Sequence, residues 1–185
     1  GRQDQYSATF GGFNFMEFYA NDQAIINSLR IKNWIICELE ASLLLFYTGV
    51  SRESARIIAD QSSNVRSGSL DAMTAMHGIK NEALVMKECL LKGDFQGIVD
   101  SMLLGWENKK RSAKTVSNPH IEEIYNAAIG AGALAGKVSG AGGGGFMMFF
   151  VPPEKRMEVV RALSHYDGQV SNCHFTRHGT QAWRV

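Results

Sequence analysis

The chain has 185 residues, 45% hydrophobic and 20% charged, with a formal net charge of +1, which suits one domain with a substantial core. This balance excludes an electrostatic case for nucleic acid or an anionic membrane surface, and no apolar run approaches a membrane span, the longest candidate being Leu43-Leu-Leu-Phe46. The N-terminus lacks a signal-peptide pattern, and Cys37, Cys89 and Cys173 are scattered without a C-x-x-C pair, which predicts reduced thiols in a cytoplasmic protein.

Gly1-Arg-Gln-Asp-Gln-Tyr6 opens the chain without a Met and reads as the middle of a longer or processed protein. Asp4 to Phe10 suits a short helix ended by Gly11-Gly12, because Gly tolerates the left-handed turn that closes helices. Aromatic-rich Phe13 to Phe18 predicts a strand. Glu38 to Tyr47 is a second strand candidate, although its leucines also fit a buried helix. Ser51 is placed to cap a helix from Arg52 to about Asn64. Ser69 to about Lys92 repeats apolar residues at helical spacing and is closed by Gly93. Phe95 to about Lys114 is a further helix, with Trp106 on its apolar face; Trp106 and the methionines of the preceding helix are read as core. Asn118 caps the next helix, with Pro119 at its favoured first position. After the apolar strand Phe146 to Val151, Pro152-Pro153 breaks the chain. Glu154 to Leu163 then forms a helix, and Gln169 to Thr176 and Thr180 to Val185 form the last strands. The pattern predicts an α+β fold, an antiparallel sheet covered by helices on one face.

Between helix and strand lies Lys137-Val-Ser-Gly-Ala-Gly-Gly-Gly-Gly-Phe146, with five glycines in six positions. Glycines admit positive φ and close approach, and successive exposed N–H groups make a concavity for phosphate. Gly140, Gly142 and Gly145 spell G-x-G-x-x-G, but the dinucleotide fingerprint needs a strand before and a helix after. The predicted order here is helix, loop, strand. Phe146 also stands where a P-loop requires Lys. A flexible linker would be polar on both sides, whereas this loop runs into a core strand.

Asp4 sits at the start of the first predicted helix, where the helix dipole favours an ionised carboxylate, with Arg2 adjacent. Such an Asp can take the proton of a substrate hydroxyl in phosphoryl transfer; taken alone, it reads more simply as a helix cap. Lys109 and Lys110 lie in a basic cluster and Arg52 at a helix start, each a candidate contact for a substrate phosphate. His174 and His178 share a spacing but lack a third ligand, so no metal site is predicted.

These blocks together resemble a family. Lys137-x-x-Gly140 to Phe146 is similar to the C-terminal motif of the galactokinase–homoserine–mevalonate–phosphomevalonate (GHMP) small-molecule kinases. Gly1 to Tyr6 with Phe10 to Phe15 resembles the catalytic-Asp segment of the sugar-kinase branch. Phe46 to Arg52, Gly105-Trp-Glu107 with Lys109-Lys110, and Ser117-Asn-Pro119 narrow the resemblance to the heptose-phosphate kinases, over nearly the whole chain. The resemblance implies a ferredoxin-like C-terminal domain over residues 13–185, preceded by the end of the kinase N-terminal domain in residues 1–12. It implies ATP and Mg²⁺ as cofactors, phosphorylation of the anomeric hydroxyl of a heptose 7-phosphate, and a cytoplasmic role in making activated heptose for surface polysaccharide. Asp4 matches the catalytic residue; Ser139, Gly140, Ala141, Gly142, Gly143, Gly144 and Gly145 match a loop near the transferred phosphate. The main nucleotide loop of the family, rich in Gly and Ser, does not occur in these 185 residues. The expected partners are therefore a sugar phosphate and a missing N-terminal half, with a homodimer left open, and the chain alone is expected to be inactive. A fucose or galactose kinase, or a non-catalytic binding module, are the rival readings.

Overall fold

The computed structural model describes residues 2–49 and 54–183. Arg52 and the cap assigned to Ser51 lie outside them. Helix α1 (Arg2–Phe10) leads into a hairpin of β1 (Asn14–Phe18) and β2 (Ala24–Ser28). Then follow α2 (Asn33–Ser42), β3 (Leu43–Tyr47), α3 (Ser54–Arg66), α4 (Leu70–Lys92), α5 (Phe95–Ser112) and α6 (Pro119–Gly130). Strands β4 (Ala135–Val138) and β5 (Phe146–Phe150), helix α7 (Arg156–Leu163) and strand β6 (Gln169–Asn172) complete the described chain.

The caps are local and behave as the residue types demand. The Ser69 hydroxyl accepts from Ala72 N–H, the Asn118 side chain accepts from Ile121 N–H, and Asp94 accepts from Gly97 N–H. Four antiparallel strands form the main sheet in the order β4-β5-β3-β6. With α3 to α6 linking β3 to β4 and α7 linking β5 to β6, this is the ferredoxin-like βαββαβ arrangement.

Alternation along the strands builds two cores. Leu44 and Phe46 of β3, with Met147 and Phe149 of β5, pack against Ile121, Ile124 and Ala128 of α6 and Val159 and Leu163 of α7. Leu43, Leu45, Met148 and Phe150 point the other way, onto Ile35 and Leu39 of α2, Cys89 of α4 and Ile98, Val99 and Met102 of α5. The helical cover therefore extends to the second face, and α5 runs beside β4 at the sheet edge.

Several expectations are corrected. The block Glu38–Tyr47 is a helix that turns directly into a strand: Ile35, Leu39 and Ser42 are buried at helical spacing, and two-residue alternation starts only at Leu43. A strand, β4, stands between α6 and the glycine loop, so the loop joins two strands. The dinucleotide fingerprint still fails, because β5 and not a helix follows. Strand β6 ends at Asn172. Residues 180–183 form no strand; the Thr180 N–H and hydroxyl instead donate to the carbonyls of Thr9 and Ala8. Trp106 is fully buried as expected, but Met73 and Met76 are 39% and 40% exposed, on the side of α4 that no core covers.

Candidate active site

Asp4 lies in the first turn of α1, a helix with no buried residue. The helix ends at Gly11, with φ near +64°, and Gly12 N–H donates to Thr176 O. A Cβ on Gly11 would stand 2.3 Å from the backbone N of Gly179. The Asp4 helix is thus docked on the C-terminal segment by backbone against backbone. Arg2, expected beside Asp4, is paired with Asp22 at the hairpin turn, which raises its pKa.

The glycine loop needs its composition. Gly140, Gly142, Gly143, Gly144 and Gly145 all take positive φ, from 72° to 150°, where a side chain is strained. A Cβ on Gly142 would also come within 2.8 Å of Val116 O. The loop is pinned at its far end: Gly143 N–H donates to Val116 O at 2.8 Å, the Asn118 amide donates to Gly143 O, and Thr48 donates twice to Gly145 O. At its near end, the N–H groups of Gly140, Ala141 and Gly142 have no acceptor among the described residues. Gly140 is exposed and Ala141 half-buried, while Gly142 is buried; two successive amides open at the bend fit a phosphate.

Two lysines flank that near end. Lys109 reaches from α5 and donates to Val138 O at 2.9 Å and to Gly140 O. Burial, and secondarily the charge of Lys137, pull its pKa down to about 8. Burial lowers Lys137 as well. Lys137 leaves β4 on the face shared with Ala135, the face packed by α5.

These groups converge. Asp4, Gly140, Ala141, Lys109, Lys137 and Glu82 all line one cavity of about 810 Å³. Its remaining walls are mostly apolar, including Phe18, Ile58, Met76 and Met86. Other candidates are not brought there. Lys110 is taken up by Glu107 at 2.8 Å and Glu122 at 3.8 Å, and lies 5.5 Å above the Trp106 ring. Ser139 N–H is spent on Phe146 O. Gly143 and Gly144 open on a smaller pocket with His120 and Asp167. His174 lies 3.8 Å from Glu40, and no three His, Cys, Asp or Glu side chains cluster for a metal among the described residues. Two cavity residues escape sequence reasoning, Glu82 and the lining role of Lys137. The usable signal for Lys137 was its position three residues before the first loop glycine.

Residues 86–168 match the family model described as GHMP kinases C terminal, and the fold is that of this kinase C-terminal domain. Over all 185 residues the chain is 46% identical to the D-glycero-alpha-D-manno-heptose 7-phosphate kinase of Campylobacter jejuni, covering 54% of that protein. A crystal structure of a D-glycero-D-manno-heptose 1-phosphate kinase from Bacteroides thetaiotaomicron is 40% identical, with a TM-score of 0.73 over 100% of this chain and 49% of that one. Mevalonate kinase from L. major with R-mevalonate has a TM-score of 0.75 at 20% identity, over 91% of this chain and 50% of that one, and so shares the fold alone. The chain spans about half the length of these relatives. Among the described residues no helix is long and apolar enough to cross a membrane.

Proposed function

We propose that this chain is the C-terminal half of an ATP-dependent sugar kinase that phosphorylates the anomeric hydroxyl of a heptose 7-phosphate, giving the 1,7-bisphosphate for activated heptose and surface polysaccharide. One observation carries the reading: a carboxylate on a helix and the acceptor-free amides of Gly140 and Ala141 share a cavity with two lysines. The relatives' names support the substrate class and differ in the heptose phosphate they specify.

In this reading Asp4 orients the hydroxyl and accepts its proton as the oxygen attacks the γ-phosphorus. The new O–P bond forms, the bond to the bridging oxygen breaks, and ADP departs with the electron pair. The amides of Gly140 and Ala141 receive charge on the transferred group. ATP fits these amides, whereas the described residues alone do not form a Mg²⁺ site; the ion would arrive with the nucleotide. Positioning and charge stabilisation supply most of the rate in such reactions. The isolated chain, lacking the family's nucleotide loop, is therefore inactive in this reading, and its partner is the half that bears it.

The test is a ³¹P NMR assay of the full-length protein with ATP and heptose 7-phosphate, heptose 1-phosphate or unphosphorylated heptose. Formation of the 1,7-bisphosphate from heptose 7-phosphate is expected. Preference for another sugar would replace the substrate, and absence of transfer to any of them would overturn the kinase assignment. Turnover by the 185-residue chain alone would overturn the claim that it needs a partner half.

A further inference from the structure

We propose that Lys137 is the residue that binds a phosphoryl group in the Asp4 cavity, and that Lys109 is a positioning residue that shapes the loop. This deepens the kinase reading and rests on it for the identity of the ligand. The anion chemistry itself rests on the cavity.

Both lysines line the same space, but their ammonium groups are differently committed. Lys109 Nζ already has two carbonyl acceptors, Val138 O at the end of β4 and Gly140 O in the loop. It ties α5 to the start of the glycine run, across 29 and 31 residues of sequence. Held there, it fixes the bend that leaves the Gly140, Ala141 and Gly142 amides without acceptors. The ammonium of Lys137, one strand position before Val138, has no hydrogen bond or ion pair among the described residues. The other charged groups facing the cavity are Asp4 and Glu82. Neither forms an ion pair with Lys137 among the described residues.

A cation that is largely desolvated, next to a second cation and without a bound carboxylate, is unfavourable in the empty site. An anion placed between Lys137 and the loop amides removes that penalty and gains charge-assisted hydrogen bonds. Functional sites retain such unfavourable groups because a ligand offsets them. The ligand is a phosphoryl group, belonging either to the nucleotide or to the sugar phosphate.

The experiment uses Lys137→Met, Lys137→Arg and Lys109→Met in the full-length protein. Steady-state kinetics are measured with ATP and heptose 7-phosphate, and calorimetry measures binding of inorganic triphosphate. Lys137→Met is expected to raise KM for one phosphorylated substrate by about 10- to 100-fold, as expected for loss of a charged hydrogen bond. Lys137→Arg recovers most of it. A rise confined to heptose 7-phosphate assigns the sugar's phosphate, and one confined to ATP assigns the nucleotide. Lys109→Met lowers kcat with smaller change in KM, since it distorts the loop and not the anion contact. Unchanged KM in Lys137→Met, or the same KM profile from Lys109→Met, overturns the division of roles.

Should the full-length protein transfer no phosphate, the kinase reading falls separately. Triphosphate binding lost in Lys137→Met and kept in Lys109→Met would still uphold the anion site; binding indifferent to Lys137 would sink it. Should Lys137→Met fail to fold, ¹³C-methylated lysines answer the question in the wild type. Triphosphate must then shift the Lys137 resonance more than that of Lys109, and the opposite order overturns the proposal.

Discussion

The glycine loop and the Asp4 helix meet at one cavity but are held by opposite means. The loop joins β4 to β5, whose Val138, Met147 and Phe149 are fully buried in the larger core. Helix α1 contributes nothing to either core. It is anchored by the turn at Gly11, by Thr180 on the Thr9 and Ala8 carbonyls, and by the close passage of Gly179. One side of the candidate site is therefore as stable as the sheet, and the other depends on a few surface contacts, which include Arg2 with Asp22 and Tyr6 against Phe18. Site geometry and global stability are separable in this molecule.

The sharpest way to exploit that separation is chemical. Asp4→Asn in the full-length protein should reduce turnover by about 10²- to 10⁴-fold, the usual contribution of a general base. The same substitution should leave the melting temperature nearly unchanged, because Asp4 is exposed on a helix with no buried residue. A comparable loss in both would contradict the comparison. Next in size is Gly142→Ala. With φ at 121° and a Cβ 2.8 Å from Val116 O, it should lower unfolding free energy by about 1–3 kcal/mol, measured by urea titration. Gly179→Ala would place a Cβ 2.0 Å from Thr9 O. It should release α1, seen as lost amide-exchange protection over α1 while β5 stays protected, with a global change under about 1 kcal/mol.

The smallest expected effect is a pH dependence. Lys109 titrates at about 8 when folded, below its ordinary 10.5. The unfolded chain thus binds more protons between those values, so this lysine makes stability rise with pH across that window. In Lys109→Met this slope of unfolding free energy against pH, read by urea titration, should flatten; a flat wild-type profile would remove Lys109 from the electrostatics of the cavity.

What the sequence disclosed follows the range of the forces involved. Ser69 and Asn118 with Pro119 marked helix starts because a cap acts within three residues. The α2 start was invisible for the converse reason: Lys32 precedes it and makes no side-chain cap bond. Ala135-Gly-Lys-Val138 has little strand propensity. It is selected by distant partners, since a Cβ on Gly136 would lie 2.5 Å from the Phe149 ring. The second hairpin strand, Ala24–Ser28, has no buried residue and sets an exposed Ile25 beside a half-buried Ile26, so its sequence lacks the apolar–polar alternation of a core strand. For the site, Asp4 and the glycine run were legible as residue types. The split between Lys109 and Lys137 was not, because it depends on which ammonium reaches Val138 O and Gly140 O. Lys110, equal to Lys109 in sequence terms, pairs with Glu107 and Glu122 and does not line the cavity.

The burial of Trp106 has a practical consequence. The chain has three tryptophans, and Trp34 and Trp183 are 53% and 78% exposed whereas Trp106 is 0%. Short-wavelength emission therefore belongs to one ring, stacked on Tyr125 with Lys110 above it. That ring follows Gly105 of the cavity wall and precedes Lys109 by three positions on α5. The molecule thus carries its own fluorophore on the helix that ties down the glycine loop, and an acrylamide-resistant signal from Trp106 can report occupancy of the cavity without any label.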